Sequence, residues 1–214
     1  MIQHHPDPDM LTDYAAGRLG HGARLVIACH LEACTICRQE VNLWDCAGGA
    51  LLKDAAPAEL SAGALDRMMA RLDDGATAKS VPALPAFLSR FDVPAALAAQ
   101  KIGRRRFVTP SIWFAPIDAE GGEARTYLVY AKASTVLAEH NHRGRELTHV
   151  IAGAFGDGTG IYAKGDFALT DDELTHSPTV THDGDCLCLI SAEAPMRLMS
   201  FPARMVQALT GSHY

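Results

Sequence analysis

Apolar positions change their period once along this chain, near residue 100. Upstream they recur every three to four residues, as on one face of a helix; downstream they gather in short runs broken by Gly, Asp and Pro. Asp7-Pro8-Asp9 reads as a helix start, an N-cap candidate followed by proline at the first helical position. Leu11, Tyr14 and Ala15 then fall at helical spacing, and Gly17 closes the helix. A second helix is expected over roughly 23–32, with Leu25, Val26 and Cys29 on one face. A third runs from near Thr35 to Cys46, carrying Val41 and Trp44, with Gly48-Gly49 as its stop. Ser61 is placed to cap a fourth, on which Leu65, Met68, Met69 and Leu72 form an apolar stripe. Such stripes are usually core. A module this short has little interior for a fourth one, so the Met-bearing stripe suits a partner contact.

The stretch 77–95 holds three prolines and no sustained period, and reads as a linker whose Leu84, Phe87, Leu88 and Phe91 lie against a domain. Strands are expected over 106–108, 112–115, 125–131, 134–137, 146–152, 160–163 and 185–191. Many short strands with regular turn signals imply a sandwich, for which a jelly roll is the usual solution. The expected fold is therefore α + β in two domains: a helical bundle over 1–76, a linker over 77–95, and a β-sandwich over 96–214.

Two constellations carry chemistry. His30-Leu-Glu-Ala-Cys34-Thr-Ile-Cys37 puts three soft ligands on one side of a helix or helix-turn. Structural zinc takes four such ligands. The fourth must come from elsewhere, and His4 and His5 both precede the first helix; His5 is the preferred choice. A CxxC alone would also suit a redox pair or two buried small residues. The helix-spaced histidine favours a Cys2His2 zinc site.

The second constellation is His140-Asn-His142, then Glu146 and Gly153. Alternate residues of a strand share a face, so the two imidazoles can aim at one interior point, with Glu146 returning after the Arg143-Gly144-Arg145 turn. His176 completes the set, in preference to His182 beside Asp183-Gly184. His149 falls on the opposite strand face and is left out. Three imidazoles and a carboxylate suit a divalent first-row metal: zinc first, with iron, manganese and nickel also compatible.

Composition narrows the class. The 214 residues can bury sizeable cores, and the net charge of −6 argues against a general nucleic-acid binder. The start MIQHHPDPDM has neither a basic n-region nor an apolar h-region, and no apolar run reaches bilayer length. A cytoplasmic location is expected. Six cysteines, two of them assigned to metal, do not suggest a disulfide framework; Cys186 and Cys188 read as buried small hydrophobes.

His5 with His30, Cys34 and Cys37 looks like the zinc-binding anti-sigma domain, and His140, His142, Glu146 and Gly153 match the first cupin motif. In this order and at this length, the chain resembles the ChrR-type cupin anti-sigma factors. The resemblance implies a helical domain that binds one group IV (extracytoplasmic-function) sigma factor. It also implies a cupin domain needed for the response to singlet oxygen or organic hydroperoxides. The first 80 residues carry seven Lys or Arg against eleven Asp or Glu, a balance of −4 that suits the basic faces of such a factor. The rival reading is a metal-dependent cupin oxygenase or isomerase using the zinc helices for docking. It lacks a plausible extra acid or base near the metal, Glu139 and Tyr162 being candidates by position only.

Overall fold

The computed structural model of the chain describes residues 1–73, 82–118 and 125–199. At its start the Asp7 carboxylate accepts the Met10 amide at 2.7 Å, and Pro8 fills the first turn of α1 (Pro8–Ala15). α2 (His21–Ala33) is separated from α3 (Thr35–Asp54) by the single extended residue Cys34, which ends one helix and caps the next. The expected stop at Gly48-Gly49 is not used. Both glycines continue α3, whose positions 42–54 all face solvent. Glycine costs a helix about 1 kcal/mol relative to alanine but does not break it without a turn to follow. α4 (Ala64–Asp73) begins after Gly63, in the left-handed region at φ +69°. Ser61 accepts Arg67 through its hydroxyl and the Ala64 amide through its carbonyl.

The expected linker, described from residue 82 on, is a packed strap. It holds a 3-10 turn (Ala86–Leu88) and the short α5 (Ala95–Ala98). Leu88 and Leu97 are fully buried, and Phe87 meets the Trp113 ring edge-on at 5.2 Å. Glu32 on α2 accepts the amides of Ala95 and Ala96 at 2.7 Å each, capping α5 from across the interface.

Twelve strands follow among the described residues. The first six are β1 (Arg106–Thr109), β2 (Ile112–Pro116), β3 (Arg125–Ala131), β4 (His140–Asn141), β5 (Glu146–Ala152) and β6 (Ala154–Gly156). Then come β7 (Ile161–Ala163), β8 (Phe167–Thr170), β9 (Thr175–His176), β10 (Thr179–Val180), β11 (Cys186–Ala192) and β12 (Arg197–Leu198). A six-stranded sheet runs β1-β2-β3-β11-β5-β8, beside two three-stranded sheets, β10-β6-β7 and β12-β4-β9. Residues from all three sheets wall one interior cavity, the cupin arrangement of a jelly roll. The expected strand over 134–137 does not form. Ser134 sits at φ +59° and only Val136 makes a bridge, to Thr179.

The central strands of the large sheet, β3, β11 and β5, are buried on both faces, while β1 at its edge is exposed. Glu146, Thr148 and Val150 on β5, with Cys186 and Cys188 on β11, point into the barrel, while Leu147, Ile151, Leu187 and Leu189 join the core that α2 and the strap complete. Each fully buried Val or Ile on α2, such as Val26 and Ile27, contributes roughly 1.5–3 kcal/mol to that contact. Gly22 is the point of closest approach. A Cβ there would stand 2.3 Å from Thr126 Oγ1 and 2.4 Å from Ser191 Oγ, so only glycine lets α2 lie against β3 and β11.

Candidate metal centres

The helix break at Cys34 brings the first four candidates together. His5 Nδ1 lies 3.3 Å from both Cys34 Sγ and Cys37 Sγ, and His30 Nε2 lies 3.4 Å from Cys37 Sγ. The four donor atoms all fall within 4.8 Å of one another and could hold a metal ion. His30 donates its other ring nitrogen, Nδ1, to the Gly165 carbonyl at 2.9 Å, which leaves Nε2 as a lone pair facing the thiols. Burial lowers the His30 pKa to about 4, keeping the ring neutral. Burial and then the neighbouring Cys34 push the Cys37 thiol up to about 12, so its proton would leave only in exchange for a cation. His4 takes no part in the cluster; its Nδ1 lies 3.2 Å from Asp166 Oδ2.

The second set converges inside the barrel. β4 pairs with β9, setting His140 opposite His176. His176 Nε2 is 3.1 Å from the Nε2 atoms of both His140 and His142. His140 donates through Nδ1 to Ala138 O at 2.8 Å, and His176 Nδ1 bonds Asp157 Oδ2 at 3.2 Å. Two of the three inward nitrogens are thereby held as lone pairs in mutual contact, an arrangement that a cation relieves. Glu146 stands at the side of this triad, its Oε2 3.3 Å from His142 Nδ1. Burial lowers His140 and His142 to about 4 and raises Glu146 to about 8. The neighbouring wall is apolar: Phe114, Val129, Leu137, Phe155 and Val180 line it, and Cys186 Sγ lies 3.6 Å from Cys188 Sγ.

The remaining candidates lie elsewhere. His182 is exposed beside Asp183, and Glu139 is exposed. His149 is buried on the helical face of β5, its ring edge-on to His30 at 6.0 Å. Asp157 and Asp166 were missed from sequence, as nothing in their spacing separates them from turn aspartates. Both have lowered pKa values. Burial would raise each, and the donors around it, Thr159 and His176 for Asp157 and the Ala163, Gln3 and His4 amides for Asp166, override that.

Residues 100–195 match the family model of the ChrR cupin-like domain. The chain is 38% identical to the anti-sigma-E factor ChrR of Cereibacter sphaeroides, over 96% of this chain and 97% of that protein. The solved structure of Rhodobacter sphaeroides SigE in complex with the anti-sigma ChrR matches with a TM-score of 0.74 at 36% identity, covering 90% of this chain and 99% of that one. A Cys/His cluster on helices, a histidine triad in a cupin barrel and identity carried along nearly the whole length converge, and the chain belongs to the ChrR family of anti-sigma factors, regulatory proteins and not enzymes.

Proposed function

We propose that the helical face of this anti-sigma factor sequesters one group IV sigma factor in the cytoplasm, and that an oxidant acting at the cupin metal centre releases it. The carrying observation is the apolar surface on α4 and the outer half of α3. Met68 is 63% exposed, Leu72 65%, Trp44 43% and Leu52 77%. Every position from Leu65 to Leu72 faces solvent, in a protein whose α2, by contrast, is buried against a sheet. Contiguous exposed apolar helix of this kind marks a protein-binding surface. The relative solved in complex with SigE supports a sigma factor as the occupant. The −4 balance of the first 80 residues suits the basic face a sigma factor turns to promoter DNA, and no direct nucleic-acid contact is needed.

Zinc is the proposed ion at His5, His30, Cys34 and Cys37, since two thiolates and two imidazoles at tetrahedral count are its preferred structural set. It supplies folding energy there. The proposed cupin ligands are His140, His142, His176 and, as fourth, Glu146, taking zinc or another divalent first-row ion. The apolar cavity beside them gives a small oxidant room to approach. The reading is tested by co-expressing the chain with the sigma factor encoded beside it. A stable one-to-one complex that excludes core RNA polymerase is expected, dissociating on exposure to singlet oxygen or an organic hydroperoxide. Independent elution of the two proteins would overturn it.

A further inference from the structure

One β-hairpin supports both metal centres. At its tip Asp157, just past β6, holds His176 Nδ1 at 3.2 Å and so fixes a histidine of the cupin triad. At its base the turn into β8 holds the other centre: the Gly165 carbonyl accepts His30 Nδ1 at 2.9 Å. Asp166 next to it binds the amides of Gln3 at 2.7 Å and His4 at 3.2 Å, and Phe167 N donates to His4 O at 3.1 Å. The chain immediately before His5 is thus tied to the turn into β8 by three hydrogen bonds. Gly165 cannot be replaced freely. It sits at φ +94°, and a Cβ there would meet the Ile2 side chain at 2.9 Å.

The two ends are joined by side chains as well as backbone. Thr159 Oγ1 donates to Asp157 Oδ1 at 2.6 Å. Its one proton is then used, so at 3.0 Å it accepts from Tyr162 OH. The Tyr162 ring lies against the His4 ring, centroids 4.4 Å apart, and His4 Nδ1 returns to Asp166 at 3.2 Å. A continuous contact path therefore runs from His176 through Asp157, Thr159 and Tyr162 to His4, the residue beside His5.

We propose that Asp157, Thr159, Tyr162 and Asp166 are positioning residues that couple metal retention at the two centres through this hairpin. The inference rests on the reading that both ligand sets hold metal. An ion at the triad draws His176 and Asp157 into one position, which fixes the hairpin, which in turn holds His30 and the His5 segment around the thiolates. Losing the cupin ion, or damaging its ligands, frees the hairpin tip and loosens the zinc site some residues away. Linkage requires the converse, with the same factor in equilibrium affinity.

The experiment uses the full chain with cobalt(II) as the probe. Thiolate-to-cobalt absorption reports the Cys34/Cys37 centre specifically, because the His140, His142, Glu146 and His176 set contains no thiolate. A chelator then strips the ion, and the decay of that band is timed. Asp157→Asn and Thr159→Val, neither of which touches a ligand of the thiolate centre, should each speed the loss about fivefold or more. Thr159→Ser keeps the hydroxyl and should restore the wild-type rate, which a general packing defect would not. His142→Ala, which empties the cupin, should speed the loss as much as Asp157→Asn does. In the other direction, Asp166→Asn should lower cupin metal affinity, read by chelator competition at equilibrium. Loss rates within twofold of wild type for Thr159→Val and His142→Ala would overturn the coupling. So would a Thr159→Ser protein as fast as Thr159→Val. Thr159 is exposed, so its variants carry the test even if Asp157→Asn does not fold. Sigma binding is read separately: a complex that forms normally while these rates stay flat overturns the coupling alone.

Discussion

Around Cys34 and Cys37 every proposed ligand comes from the first 37 residues, on the facing ends of α2 and α3 and the segment before α1, whereas the triad around His176 draws on strands and turns spread from 140 to 176. The first centre contains two thiols among largely buried side chains. The second has three imidazoles opening on an apolar chamber. Ligand softness and access part the roles. A closed thiolate set holds a fold together, while an imidazole set beside a chamber can meet a small molecule. The same division appears in the surfaces: the barrel buries both faces of its central strands β3, β11 and β5, and the helical region leaves α4 and half of α3 bare.

The sharpest way to break this comparison is at the thiolates. Cys34→Ser or Cys37→Ser should abolish metal binding at the first centre, release the segment before α1 and unfold α1 and α3, with sigma binding lost by more than about a hundredfold. α2 should stay on the sheet, because Val26, Ile27 and Leu31 are buried there irrespective of the ion. Metal analysis, circular dichroism and co-purification read this; a variant still inhibiting its sigma factor without zinc would remove the structural role. Next, Met68→Glu with Leu72→Glu should weaken the complex roughly a hundredfold, by about 1–2 kcal/mol for each anchor. The thermal midpoint should barely move, since both side chains face solvent. An equal loss of stability would mean the stripe is core in solution.

The second centre is tested by His142→Ala, which should lose cupin metal roughly 10–100-fold in affinity while the sigma complex survives and induction by oxidant falls. Full induction would show that the cupin metal is not the sensing element. The wild-type site should also be pH-dependent. Glu146 is held protonated up to about 8, so ion binding must expel its proton. Affinity should therefore fall about tenfold per pH unit as pH drops below 8 and level off above it, with the loss steepening near 4 as His140 and His142 take up protons. Calorimetry in buffers of different ionisation enthalpy counts the proton released. A flat profile between pH 6 and 8 would remove Glu146 from the ligand set. The smallest effect is expected at the junction: Glu32→Ala deletes the cap on α5 and should cost about 1 kcal/mol, measured by denaturant unfolding, without changing either metal centre.

Much of this was legible locally. Asp7-Pro8 marked the start of α1, and the bounds expected for 125–131 and 146–152 match β3 and β5. The structure brings His5, His30, Cys34 and Cys37 into one cluster, and His140, His142 and His176 into another, with Glu146 against one ring only. The short pairs β4, β9, β10 and β12 were not legible. A two-residue strand has no period to read, and His140 and Asn141 become a strand only by meeting His176 and Thr175. Packing of the linker expected over 77–95 against a domain was legible, through residues including Leu88, which is fully buried, but its 3-10 turn and α5 are too short to leave a period to read.

By itself the sequence determined what depends on neighbours within a turn or two: helix starts, strand alternation, ligand spacing and the family they resemble. Tertiary structure decided what depends on residues far apart in the chain. It chose His5 over His4 for the thiol cluster because Asp166, 162 positions on, takes His4 for itself. It placed α2 on β5 and β11, with glycine at the one point of contact that no other residue fits. It gave both metal centres a common hairpin. Periodicity reports which face a side chain occupies, but only packing decides what that face meets.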